Sequence, residues 1–304
     1  MANPIVTSLP AYVEQNRLPL LRETMLEGIS ARLLSLQTGI KSSAALNLLS
    51  TDIEFGDGST CGWDDAGTQA LSQRILTTGQ IKINMSYCEK VLLGKWAESE
   101  VRIAADDKRL PFEEEFMNGV RDAIRSAIEK AIWQGDTTSN NANLNKFDGL
   151  LKILNGEATT IKETITAGST YRAAVSQVLL AMPAETLKDD ARIFVSPEFL
   201  RGYGQELVNA NLYHYTAGED FNEIQIPGSR VRLVAVAGLS GTSKIVAGRL
   251  SNMFLGVDLE NASEIFEFWY SQDNREFRLA VEFNMGVQVA FPDEIVVGTY
   301  TTLG

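Results

Sequence analysis

Two stretches of the chain carry unbroken hydrophobic periodicity, one at the period of a helix and one at that of a strand. From Leu110 to Gly135, the residues Phe112, Phe116, Val120, Ile124, Ile128 and Ile132 recur every four positions, with Ala123, Ala127 and Ala131 beside them. That spacing lays one broad apolar face along a helix. Pro111 suits a first helical position. Glu113, Glu114 and Glu115 set negative charge beside the positive end of the helix dipole, with Arg125 and Lys130 toward the other end. Gly135 can close the helix in the left-handed conformation, giving a rod of roughly 36 Å over residues 111–134. From Glu276 to Val289 the period is two. Phe277, Leu279, Val281, Phe283, Met285, Val287 and Val289 alternate with Glu276, Arg278, Ala280, Glu282, Asn284, Gly286 and Gln288. This predicts a strand of roughly 45 Å.

Weaker patterns fill the rest. Leu18, Leu21, Met25, Ile29, Leu33 and Leu36 mark an apolar face on a helix expected from Ala11 to about Gln37, ended by Gly39. Residues 50–80 are dominated by glycine, aspartate, threonine and serine, and read as two strands with a broad tip. A loop of this length cannot bury much of itself, so it is either mobile or covered by something else. Ile81, Ile83, Met85 and Tyr87 then alternate with Lys82, Asn84 and Ser86 as a half-buried strand. A short helix over 89–102 turns Val91, Leu92 and Trp96 inward. After the long helix a polar linker leads to a boundary near Phe147. Beyond it come a helix at about 170–182, a buried strand at 192–195, and a helix opened by Ser196 as N-cap with Pro197 at its first position. Strands come next near 230–237 and 244–248, and a last short one spans Ile295 to Val297. Alternating helix and strand suggest a compact α/β or α+β unit.

The chain has 304 residues, 44% hydrophobic and 22% charged, as in a folded protein with room for two domains. No apolar run reaches the roughly 18 residues of a membrane helix, so no membrane partner is expected. The N-terminus lacks the basic and apolar segments of a secretory signal, which leads us to expect cytoplasmic synthesis. A formal charge of −12 argues against wrapping nucleic acid and favours solubility at high concentration. Cys61 and Cys88 are expected free. One histidine, His214, excludes an ordinary zinc site.

The search for reactive chemistry singles out no catalytic, cofactor-binding or metal-binding residue. Gly202-Tyr203-Gly204 begins a phosphate-cradle pattern, but Leu207 stands where its third glycine belongs. In Gly238-Leu239-Ser240-Gly241-Thr242 the second glycine comes one place too early for a nucleophile elbow. His214, between two tyrosines in a loop, has no evident partner for proton transfer. Asp52, Glu54, Asp57, Asp64 and Asp65 do not match a calcium loop and read as a solvated acidic loop. Phe266, Phe268, Trp269 and Tyr270 lack the basic neighbours of a nucleic-acid platform and suit a sheet core or a subunit contact.

The order of parts is more specific than any one of them. A leading helix, a long extended loop, a strand, the long helix ending in Trp133-Gln134-Gly135-Asp136, an entry through Gly149-Leu150-Leu151 to an inserted unit, and a long terminal strand resemble the major capsid proteins of tailed bacteriophages, the HK97-like fold. Local matches lie at 132–136 with 147–151, at 192–199, and at 270–292. The resemblance implies an α+β fold with an N-terminal arm (1–45), an extended E-loop (46–84), a peripheral domain (85–147 and 260–304, with its spine helix at about 111–134) and an axial domain (148–259). It implies a structural protein and not an enzyme. Copies would form hexamers and pentamers of an icosahedral head around a double-stranded DNA genome, enclosing the DNA without sequence-specific binding. The protein would reside in the virion after synthesis in the host bacterial cytoplasm. A portal is an implied partner; some members carry a long N-terminal scaffolding segment for which there is no room here, which implies a separate scaffold protein or a chain supplied already processed. Lysine is absent from 50–81, which disfavours the covalent E-loop cross-link of some members; Lys82 is the nearest candidate. On this picture a lone subunit leaves its arm and loop without a core, and sister copies supply one. An encapsulin-like compartment shell, or a soluble enzyme using carboxylates that the pattern does not single out, are the alternatives.

Overall fold

The long helix and the long strand both bury their apolar faces in one hydrophobic core, around which the remaining elements are arranged. The computed structural model describes residues 4–16, 20, 27–55, 59, 67–104, 112–187, 190–211, 222–258 and 266–301. In chain order the helices are α1 (Pro4–Gln15), α2 (Ile29–Leu33), α3 (Glu89–Ala104), α4 (Phe112–Gln134), α5 (Leu150–Gly156), α6 (Tyr171–Ala181) and α7 (Pro197–Asn209). The strands are β1 (Ser35–Thr38), β2 (Ser43–Ile53), β3 (Gly67–Thr77), β4 (Gly79–Cys88), β5 (Ile161–Thr164), β6 (Ala191–Val195), β7 (Glu223–Gln225), β8 (Arg232–Ala235), β9 (Lys244–Arg249), β10 (Met253–Asp258), β11 (Phe266–Ser271), β12 (Glu276–Val289) and β13 (Val296–Thr299).

Helix α4 is the rod read from the sequence. Phe112, Val120, Ile124, Ile128 and Ile132 are buried along it, joined by Met117, Ala131 and Trp133. Ala123 is exposed and Ala127 half-buried, so the apolar face is narrower on that flank than expected. Strand β12 buries its odd-numbered residues throughout. These two faces form one core with α1, α5 and parts of both sheets. In the five-stranded sheet, β10 and β11 share one side of β12, along 284–289 and 276–281, and β4 runs along its other side. A six-stranded sheet in the order β5-β13-β9-β6-β8-β7 carries α6 and α7 over a second core. The remaining sheet is the two-stranded pair β2–β3.

Several expectations are corrected. The helix expected over 11–37 is not continuous. α1 begins earlier, at Pro4, and Leu36 lies exposed in β1, which pairs in parallel with β10. Leu18, Leu21 and Met25 fall outside the described residues. The edge of β10 offers backbone partners to residues 35–38, and this outweighs their place in a helical pattern. Val91 is 64% exposed where an inward position was expected. Leu92 and Trp96 are one helical turn apart and fix the inward direction, leaving Val91 about 100° away. Nor does a lone chain leave its arm without a core. Leu9 and Val13, one turn apart on α1, are fully buried against the body, worth about 1.5–3 kcal/mol each before ordering costs. Strand partnership also crosses the limits expected at 147/148 and 259/260, because β10 joins the sheet of β12, while β13 joins that of β5 and β9.

Candidate assembly interface

Strands β2 and β3 pair with each other over eleven residues, from Ser43 opposite Thr77 to Ile53 opposite Gly67. The alternation of a strand sends successive residues to opposite faces. On one face Leu46, Leu48 and Leu76 are buried, Leu46 and Leu76 in a small cluster with Ile40. On the other, Ala45, Asn47 and Gln73 are exposed together with Leu71 (73%) and Ile75 (61%). Past the end of β2, Phe55 is 97% exposed. A flat two-stranded element with apolar residues on its outer face is incomplete in isolation.

The hairpin is seated firmly at its root. Gln288 Nε2 donates to the Ile75 carbonyl at 2.8 Å, and Asn284 Nδ2 to the Lys41 carbonyl at 3.1 Å. Arg74 pairs with Glu157, just past the end of α5. Gly286 lets β3 approach β12 this closely, since a Cβ there would lie 2.1 Å from the Thr77 carbonyl oxygen. Lys82, in the following strand, pairs with Glu282 at 2.9 Å.

Upstream, the chain is fastened to α4 by a buried carboxylate. Glu129 is 5% exposed, inside the apolar stripe between Ile128 and Ile132. Its Oε1 accepts from the Ser30 backbone N–H at 2.7 Å and its Oε2 from the Ser30 hydroxyl at 2.6 Å. Trp133 Nε1 donates to the same hydroxyl oxygen at 2.7 Å. Burial pushes the Glu129 carboxyl above the usual carboxylate range, against the opposing pull of the Ser30 hydrogen bonds and the Arg125 charge. A Cβ on Gly28 would lie 2.6 Å from Glu129 Oε1, and one on Gly238 would lie 2.3 Å from the Trp133 ring. Sequence reasoning missed this group. No sequence signal marks it, since Arg121, Arg125 and Ser126 precede it in helical register.

The other sequence candidates resolve into structural roles. Gly238-Leu239-Ser240 lies in a turn against α4, where Gln134 Nε2 donates to the Gly238 and Ser240 carbonyls at 2.6 and 3.1 Å. Gly202 and Gly204 lie within α7, Gly202 against the Tyr171 ring. The Gly-Asp to Gly-Leu-Leu passage is a turn pinned by Lys152, which donates to Asp136 at 2.7 Å and Asp148 at 2.8 Å. The bonds from Lys152 and Thr138 hold the Asp136 pKa down at about 2. Phe268 is buried and Trp269 partly exposed on β11, while Tyr270 donates to Glu89 at 2.6 Å. A cleft of about 840 Å³ lies between α6 and α7. Its carboxylate, Glu206, accepts from the Tyr171 and Arg172 backbone N–H groups at 2.7 and 2.9 Å, so both its oxygens cap α6. Glu54 and Cys88 are exposed. His214, Cys61, Asp57, Asp64 and Asp65 lie outside the described residues. Among the described residues no three His, Cys, Asp or Glu side chains gather into a metal site, and no helix is long and apolar enough to cross a membrane.

No family model and no curated protein matches the sequence. Solved structures do match. A chain of the satellite phage P4 procapsid, solved with its size determination (Sid) protein, superposes with a TM-score of 0.64 at 12% identity, over 95% of this chain and 91% of that one. A chain of the capsid of an empty GTA particle gives 0.59 at 12% identity, over 92% and 90%. A virus-like particle from Pyrococcus furiosus gives 0.54 at 7% identity, over 96% and 99%. At such identities the likeness speaks to architecture, and it spans nearly the whole of each chain. The long helix α4, the long strand β12, the projecting hairpin and the six-stranded unit are those of the HK97-like capsid fold, and that is the fold of this chain.

Proposed function

We propose that this protein is the major capsid protein of a tailed phage or phage-like particle, a structural subunit that assembles into a closed icosahedral shell around double-stranded DNA. Near-complete superposition on capsid chains supports the reading. The observation that carries it is the β2–β3 hairpin, seated at its root and exposing Leu71 and Ile75 on its outer face. In the shell this hairpin is the E-loop and lies over a neighbouring subunit. The N-terminal segment is the arm, α4 and the five-stranded sheet form the peripheral part, and the six-stranded unit is the axial part that gathers into hexamers and pentamers. The acidic balance suits a wall that encloses DNA without gripping it. A scaffold protein and a portal are the partners such a shell requires.

Electron microscopy and analytical sedimentation of the purified protein, alone and with a co-expressed scaffold candidate, test this. Capsomers or closed particles are the expected result. A strictly monomeric protein at high concentration under both conditions would refute it. The contents of recovered particles separate a genome container, which holds DNA, from an encapsulin-like compartment, which holds a protein cargo.

A further inference from the structure

We infer that Glu129 is a positioning residue: it locks the N-terminal segment onto α4 in a single register and so sets the direction in which the β2–β3 hairpin leaves the body. The inference goes beyond the shell reading and does not depend on it. A carboxylate in the apolar stripe of a core helix is a costly choice, and a well-packed apolar side chain of similar volume is often at least as stable there. Nor does Glu129 serve to neutralise a cation at close range. The Arg125 guanidinium bonds to Glu27 at 3.3 Å and to Asp122 at 2.5 Å. Both Glu129 oxygens go instead to one residue, Ser30, taking an N–H from the first turn of α2 that has no partner within the helix. Trp133 addresses the same hydroxyl from one turn further along α4.

What this arrangement supplies is position. The apolar contacts of Ala31 and Leu34 tolerate sliding, whereas directional bonds to a single serine, behind a glycine whose Cβ would press on the Glu129 carboxylate, do not. Register matters because the next ten residues build the seat of the hairpin. Ser35 to Thr38 pair with Phe254 to Val257 in β1 and β10, the chain turns at Gly39 with φ +80°, and Ile40 enters the cluster that seats the hairpin. A slip of one residue in β1 would turn each of its side chains to the other face and withdraw Ile40 from that cluster. The other side-chain anchor of this stretch, Ser35 Oγ to the Leu250 carbonyl, is longer, at 3.3 Å.

The test is hydrogen exchange on the full, unassembled chain, so it succeeds or fails apart from the shell reading. Three variants are compared with the parent: Glu129→Leu, Glu129→Gln and Ser30→Ala. In Glu129→Leu the thermal midpoint stays within about 4 °C of the parent, and strands β6 and β9 keep their protection. Amides of 29–46 and 74–78 exchange about tenfold faster or more. Glu129→Gln keeps an acceptor for the Ser30 N–H and restores most of that protection. Ser30→Ala removes the hydroxyl shared by Glu129 and Trp133 but keeps the backbone N–H bond to Glu129, and loosens the same amides in part. Full protection of 29–46 in Glu129→Leu would overturn the inference. So would equal loosening of β6 and β9, which would make Glu129 an ordinary core residue, and so would failure of glutamine to rescue.

Discussion

Replacing Leu71 and Ile75 together by glutamine separates folding from association. Both sit on the outer face of the hairpin at 73% and 61% exposure, opposite Leu49 and Ala45. Their side chains contribute little to the lone subunit, so the thermal midpoint of the unassembled protein should move by less than about 2 °C. If a neighbouring copy covers them, assembly buries the exposed remainder. Full burial of such a side chain is worth about 1.5–3 kcal/mol. Scaled by the exposed fractions, the pair contributes about 2–4 kcal/mol per subunit contact. At about 1.4 kcal/mol per decade, the protein concentration needed for assembly should rise roughly 30- to 700-fold. Light scattering against concentration, with electron microscopy of the end point, reads this threshold. Leu76→Gln is the contrasting control. Leu76 is fully buried on the inner face, so that change should lower the stability of the subunit itself. An unchanged assembly threshold in the double variant would refute the idea that the outer face of the hairpin is covered by a second copy.

Three further outcomes concern the core and the linker. Gly238→Val places a side chain where a Cβ alone would meet the Trp133 ring at 2.3 Å; overpacking of about 3 kcal/mol should lower the thermal midpoint by roughly 6–12 °C, read by calorimetry. The folded chain holds the Glu129 proton more tightly than the unfolded chain does, so its contribution to stability is fully present below the ordinary glutamate range and is lost as pH rises through the raised folded value. Chemical denaturation across that window should show this slope in the parent and not in Glu129→Gln. Asp136 behaves in the opposite sense. With its pKa held at about 2, its contribution is present above the ordinary aspartate range and fades as pH falls toward 2. In Lys152→Met the Asp136 carboxyl should titrate closer to its ordinary value, which carbon-detected NMR can follow.

What could be read from the sequence was whatever a segment decides for itself. Helix α4 and strand β12 are long enough for their periods to be unambiguous; β12 buries every residue the pattern named, and α4 buries its Phe112, Val120, Ile124, Ile128 and Ile132 while leaving Phe116 and Ala127 half-buried and Ala123 exposed. Ser196 caps α7 through the Phe199 N–H at 3.2 Å, with Pro197 at its first turn, because those preferences are local. Of the two strands expected within 50–80, β3 lies there, whereas β2 begins at Ser43, in an Ala- and Leu-rich segment ahead of the Gly-, Asp- and Thr-rich stretch. Illegible were the elements that exist through a distant partner. β1 is four residues whose strand character comes from the edge of β10, some 220 residues away along the chain. The same holds for β10, while β13, read as a short strand at 295–297, was legible as a strand but not in its sheet membership, which like that of β10 crosses the limits that sequence order suggested. Glu129 was invisible for a different reason: a glutamate on a helix is ordinarily a solvent-facing residue, and nothing near it in sequence announces Ser30.

On the shell reading, the buried and the exposed apolar residues together locate where association would act. In the lone chain the leading helix is satisfied, with Leu9 and Val13 fully buried against α4 and the five-stranded sheet. The expectation that both the arm and the loop need sister copies therefore holds, at most, for the loop. The hairpin closes its inner face against Ile40 and leaves Leu71, Ile75 and Phe55 in water. Leu36 on β1, Met85 on β4, Val91 and Leu93 on α3 and part of Trp269 on β11 are further exposed apolar residues in or beside the five-stranded sheet. A subunit of this design can fold first and associate afterwards, because its core does not wait for a neighbour. The energy of association then rests on a small set of outward residues whose loss leaves the fold intact, which is the separation that the Leu71 and Ile75 substitutions measure.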